Sequence, residues 1–189
     1  MDLVGAALSN PMNRAILQRL PLLGASQACL VAGCIYQAWW NRMAEQPPQA
    51  QVKDYDIFYF DGADLSWEAE DKVIQRGRAL FADLDALIEI RNQARVHLWY
   101  PQRFGAPYPQ LTSAVDGIGR FLVRCTCVGL MPMGDGSLKL IAPYGLDELE
   151  QGLLRPNENA PSLHRYRDKA MSYATRWPFL KIEEIADDR

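Results

Sequence analysis

Lys53-Asp54-Tyr55-Asp56-Ile57-Phe58-Tyr59-Phe60-Asp61 is the stretch on which the fold turns. From Asp54 to Phe60 it is dense in aromatic and β-branched residues, which suit a pleated, half-buried surface, so a strand is predicted there. Strand side chains alternate between faces. Asp54 and Asp56 therefore point the same way, roughly 7 Å apart along the chain. Two carboxylates on an otherwise apolar strand are expensive to bury without compensation. A divalent cation supplies it, because Mg2+ takes hard oxygen ligands and is held by one or two carboxylates together with substrate phosphates. The plainer alternative is an edge position where both acids are solvated, or paired with Lys53 or an arginine.

Upstream, Ala28–Ala32 (ACLVA) reads as a short buried strand broken by Gly33. A helix follows over Ile35–Ala44, with Ile35, Ala38, Trp39 and Met43 on one face. A strand–glycine–helix junction at Gly33-Cys34 points free backbone N–H groups and the positive end of the helix dipole at whatever lies in front of it. That is a phosphate cradle, or else a plain tight turn.

Downstream, Ser66 caps a helix over Ser66–Leu84, with Glu68, Glu70 and Asp71 in its first turns, where the macrodipole favours acids. Leu87–Ile90 and Ala94–Tyr100 are the next strand candidates. In the first, Glu89 can share a face with Asp54 and Asp56, and three converging carboxylates make a two-metal site for phosphoryl displacement. The alternative for Glu89 is a salt bridge with Arg91 or Arg95. In the second, Arg95, His97 and Trp99 share one face. Arg91 and Arg95 suit phosphate oxygens; the plainer reading is that Arg95 and His97 hold the acidic strand by hydrogen bonds.

The remaining elements are simpler. Asn10-Pro11 opens a helix that ends near Pro21, and Ser113–Phe121 is a short helix. Arg124–Met131 and Ser137–Ala142 form a hairpin across Met133–Gly136, and Leu146–Leu154 and Leu163–Arg176 close the chain as helices. Glu45–Lys53, Pro101–Thr112 and Arg155–Ser162 are loops. Strands and helices mix without strict alternation, which predicts an α+β domain: a mixed sheet flanked by helices.

The 189 residues suit one domain (1–189), with residues 145–178 packed on it as C-terminal helices. No apolar run approaches the roughly 20 residues of a membrane span. The N-terminus lacks the charged start and apolar core of a secretory signal, and four cysteines in that setting read as free thiols, so the cytoplasm is expected. Their spacing does not fit a zinc site. Twenty basic against twenty-three acidic residues, net −3, argue against a protein that coats nucleic acid. Arg165, Arg167 and Lys169 read as a solvated helix face, and Tyr108 and Tyr144 as loop aromatics able to stack on a base.

The order of these pieces carries more than any one of them. A strand–Gly–x–helix unit, an Asp-x-Asp strand about 20 residues on, then an acid in a later strand resembles the DNA polymerase β-like nucleotidyltransferases. VAGCIYQAWWNR (Val31–Arg42), KDYDIFYFD (Lys53–Asp61) and EIRNQARVHLWYPQRFG (Glu89–Gly105) carry the likeness. It extends through FLVRCTCVGL (Phe121–Leu130) and LIAPYGLDEL (Leu140–Leu149) to a bacterial branch of unknown substrate. The resemblance implies that Asp54 and Asp56 bind Mg2+ or Mn2+, that Glu89 is the third acid, and that Gly33-Cys34 takes the place of a Gly-Ser turn at the triphosphate. Cys34 departs from that pattern, since a thiol is a poor hydrogen-bond donor. The expectation is a metal-dependent nucleotidyltransferase moving an NMP group from an NTP to a hydroxyl on a small molecule or protein. The alternative is a catalytically degenerate nucleotide-binding or regulatory module with the same fold.

Overall fold

A computed structural model describes residues 2–183. Two short helices open it: α1 (Leu3–Ser9), capped by Asp2, and α2 (Pro11–Arg19), whose cap Asn10 accepts from the Met12 N–H at 2.9 Å. Pro21 ends α2 by starting a tighter 3-10 turn. Next come β1 (Cys29–Val31), α3 (Gly33–Met43), β2 (Tyr55–Tyr59), α4 (Trp67–Leu80), β3 (Ile88–Asn92), α5 (Val96–Phe104) and α6 (Ala114–Ile118). The chain continues through β4 (Gly129–Pro132), β5 (Leu138–Ile141), α7 (Asp147–Glu150), β6 (Leu153–Leu154), α8 (Tyr166–Arg176) and β7 (Lys181–Ile182). Among the described residues no helix is long and apolar enough to cross a membrane.

Five strands make one mixed sheet in the order β3-β2-β1-β4-β5. β1 is antiparallel to both β2 and β4, β4 to β5, and only β2 and β3 run parallel. Their crossover is α4, as a parallel pair requires. Alternation along β2 sorts its two faces cleanly. Tyr55, Ile57 and Tyr59 are buried with Leu30 and Ile90 in the main core, beneath α1–α4. Asp56 and Phe58 share the opposite face with Cys29 and Val31, where a smaller core forms with Ala114, Ile118, Cys127 and Ile141.

The C-terminal α8 packs on α3. Tyr36 Oη and Tyr173 Oη are 2.7 Å apart, Trp177 donates its Nε1–H to Asn41 Oδ1 at 2.9 Å, and the Trp40 and Trp177 rings lie 5.2 Å apart. On α3 it is Trp40 that is fully buried, whereas Trp39 is half-buried and Met43 exposed. The apolar stripe is thus rotated from the one expected.

Three expectations about elements are corrected. Ala94–Tyr100 is not a strand: Asn92 Oδ1 accepts from the Ala94 N–H at 3.1 Å, capping a 3-10 turn that runs into α5. Arg124–Thr126 is likewise a 3-10 turn, so the hairpin starts only at Gly129, and Cys125 and Cys127 share no strand. Of Leu146–Leu154, only Asp147–Glu150 is helical, and Leu153–Leu154 pairs in parallel with Lys181–Ile182.

Candidate active site

The parallel register puts Asp56 opposite Glu89 and Phe58 opposite Arg91, so all four side chains lie on one face of the sheet. Asp54 stands two residues before Asp56, just outside the head of β2. This face floors a cleft of about 490 Å3 lined by Asp54, Asp56, Phe58, Gly33 and Arg91. α5 contributes Val96, Trp99 and Tyr100 to its wall, α6 and the segment after it Gly117 and Arg120, and α8 Lys169, Tyr173 and Arg176.

Asp56 is half-buried, and desolvation pushes its carboxyl up to about 7. Repulsion from Asp54 and Glu89 adds to that rise, while Arg91 and Lys169 oppose it. A carboxylate resisting ionisation beside two others is an unmet demand for positive charge. Lys169 shows the converse: burial and its neighbour Arg176 push its ammonium down, against the pull of Asp54 and Asp56.

α3 begins at this cleft. Gly33 lines it, and the preceding Ala32 holds an unusual left-handed backbone (φ 61°, ψ −129°) that turns the chain sharply from β1 into the helix. The first amides of a helix have no partner within it and carry the positive end of its dipole. A Cβ added at Gly33 would come within 2.8 Å of Gln37 Nε2, so glycine keeps this corner open. Cys34 faces the other way. Its thiol is fully buried, donates to Val31 O at 3.4 Å, and is pushed well above the ordinary thiol range by burial. Its side chain is core, and any part it plays at the cleft is through the backbone.

Glu89 is beside Asp56 but does not line the cleft; its Oε2 accepts from Arg91 Nη2 at 3.1 Å. Among the described residues, no three His, Cys, Asp or Glu side chains are grouped to hold a metal ion. Arg95 is drawn away from the cleft altogether. It is buried in an ion pair with Glu70 and donates from Nε to Leu65 O at 2.9 Å. Glu70 in turn accepts the Asn92 N–H at 2.8 Å, so this acid anchors the end of β3 rather than serving the dipole of α4. Arg95, His97 and Trp99 share no strand face, and of the three only Trp99 lines the cleft.

Sequence reasoning missed most of the cationic wall. Lys53, Arg120, Arg165, Lys169 and Arg176 all line the cleft with Arg91. Arg165 and Lys169, expected to be a solvated face, are exposed, and they also line the rim of the cleft, one turn apart. A net charge of −3 hides this local excess. The one signal for it was the i, i+4 spacing of Arg165 and Lys169. Tyr108 lines the cleft as well, whereas Tyr144 donates its hydroxyl to Gly119 O at 2.9 Å.

Comparison with known proteins agrees with this architecture. The model of a family described as Nucleotidyltransferase matches residues 18–182. A solved structure titled as revealing a CCA-adding enzyme head domain superposes with a TM-score of 0.77 at 24% identity, over 97% of this chain and 95% of that one. The Thermotoga maritima CCA-adding enzyme complexed with tRNA superposes with a TM-score of 0.60 at 12% identity. In that case 99% of this chain is covered but only 43% of the other. These likenesses extend to the mixed five-stranded sheet with its flanking helices, the nucleotidyltransferase head-domain fold. No curated protein matches. With the family match spanning most of its length, the chain belongs to the nucleotidyltransferase family.

Proposed function

We propose that this chain transfers a nucleoside monophosphate from a nucleoside triphosphate to a hydroxyl acceptor, and that the reaction depends on a divalent metal. The observation that carries the proposal is the acid pair Asp54 and Asp56 on the floor of a cleft whose other charged lining residues are all cations. Asp54 and Asp56 are the residues that would hold Mg2+ or Mn2+. Two carboxylates with hard oxygen donors fit the mode in which the phosphates complete the coordination, and the raised Asp56 carboxyl fits a site short of positive charge. When bound, such an ion neutralises charge developing on the attacking and leaving oxygens.

The residues of the chain do the positioning. The Gly33 end of α3 and the side chains of Lys53, Arg91, Lys169 and Arg176 bind the triphosphate, with the backbone N–H groups supplying directional contacts. The acceptor oxygen forms a bond to the α-phosphorus, the bond from that phosphorus to the bridging oxygen breaks, and pyrophosphate leaves with the electron pair. The hydroxyl proton passes to water. Transfer of this kind depends on alignment and charge, so a cleft already lined with cations lowers its reorganisation cost.

Calorimetric titration of Mg2+-ATP, GTP, CTP and UTP into the wild type and Asp56→Asn tests the proposal. At least one nucleotide binds the wild type, and the variant loses most of that affinity. No binding of any nucleotide, or equal binding by the variant, overturns it. The Glu89–Arg91 ion pair favours a second reading, a nucleotide-binding module without catalysis, since it leaves an arginine next to the acids. Under that reading nucleotide affinity is the same in EDTA as in Mn2+, and the electron paramagnetic signal of free Mn2+ is unchanged by the protein.

A further inference from the structure

The cations of the cleft run in a row from the acids: Asp56 feels the charge of Lys169, and Lys169 that of Arg176 and, one turn away, of Arg165. Arg120 and Arg165 lie toward an aromatic end. The Arg165 guanidinium sits 5.1 Å over the Phe104 ring, Phe104 is 4.6 Å from Tyr100, and Tyr100 is 4.5 Å from Tyr108. Tyr108 feels the charge of Arg120, which is steadied by donating to Asn159 O at 3.0 Å. Tyr100 Oη lies 2.9 Å from Ser162 Oγ, fixing this wall to the segment leading into α8.

The charges lining the cleft do not balance. Arg91 is neutralised by Glu89, but among the described residues none of Lys53, Arg120, Arg165, Lys169 and Arg176 has a carboxylate within ion-pair distance. Five free cations face two acids, an excess of three positive charges. A triphosphate brings about four negative charges, and one or two divalent ions return two to four of them. Between one and three positive charges then stay uncompensated along the cleft, a surplus that attracts further anions.

Resting on the nucleotidyl-transfer reading above, we infer that the acceptor is itself a phosphate-bearing molecule, held by Arg120 and Arg165 at the aromatic end of the cleft. A phosphate monoester brings about −1.5 to −2, which closes the balance, and its oxygens suit the fork of an arginine. Polyamines and other cationic acceptors are disfavoured by the same excess.

Phenyl phosphate is the probe, titrated by calorimetry into protein saturated with an uncleavable α,β-methylene nucleoside triphosphate and Mg2+; benzyl alcohol and spermidine are the controls. Phenyl phosphate binds alongside the nucleotide, and the controls do not. Arg120→Gln with Arg165→Gln weakens phenyl phosphate about 10-fold or more while moving nucleotide affinity by no more than about twofold. Displacement of the nucleotide by phenyl phosphate, or no binding beside it, overturns the inference. If no nucleotide binds, the transfer reading fails, and titration of the ligand-free protein still decides the anion site: an affinity lost in the double variant supports it, and no affinity removes it. Circular dichroism of the double variant confirms that it is folded.

Discussion

Asp56→Asn gives the most direct access to the electrostatics of the cleft, through stability rather than activity. The carboxyl is raised from 3.8 to about 7, chiefly by desolvation, with Asp54 and Glu89 repelling its charge and Arg91 and Lys169 attracting it. The folded state therefore binds this proton more tightly than the unfolded chain does. The resulting stabilisation is fully present below pH 3.8 and fades as the pH rises through about 7. Between pH 5 and pH 8 the linkage relation gives a loss of nearly two pKa units, an upper bound of about 3 kcal/mol. Side-chain relaxation and water at the open cleft bring the expected loss to about 1–2 kcal/mol. Asparagine mimics the protonated carboxyl in shape and neutrality, so the variant does not suffer this loss. Relative to the wild type, its stability in EDTA rises by that amount from pH 5 to pH 8, or about 2–8 °C in Tm. Urea denaturation at four pH values measures the difference. A wild-type-minus-variant gap that stays flat across this range, or widens in favour of the wild type, refutes the reasoning.

Other perturbations separate structural from binding roles. Arg95→Ala leaves Glu70 buried without its cation and destabilises the protein by about 3–5 kcal/mol, measured by denaturant titration. Gly77→Ala drives a methyl into Ile90 where α4 packs on β3, costing about 1–3 kcal/mol by the same assay. Tyr173→Phe removes one hydroxyl of the buried Tyr36–Tyr173 pair and costs about 1 kcal/mol in thermal unfolding. Lys169→Gln weakens nucleotide triphosphate binding about 10-fold by calorimetry while leaving Tm within a few degrees, as suits a rim cation.

The acid-bearing strand and its glycine-led helix were legible because their signals are local: alternation in Asp54–Phe60, and a glycine between a buried strand and a helix. The same alternation misled at Ala94–Tyr100. There Arg-Val-His-Leu-Trp reads with period two, but the side chain of Asn92 caps a turn and the chain coils instead. Arg91 and Arg95 could not be told apart in the sequence. One lies on the strand face beside Asp56; the other lies past the turn, where the buried Glu70 claims it. The approach of Lys169 to the acids depends on the packing of α8 against α3, segments more than 100 residues apart. No periodicity encodes that.

The floor of the cleft and the Gly33 corner come from residues 33–91, whereas Lys169, Tyr173 and Arg176 arrive on α8, far later in the chain. A ligand seated there is gripped from both halves of the polypeptide at once. It ties the late helix to the early sheet, so occupancy slows the peeling of α8 and delays protease cuts on its N-terminal side.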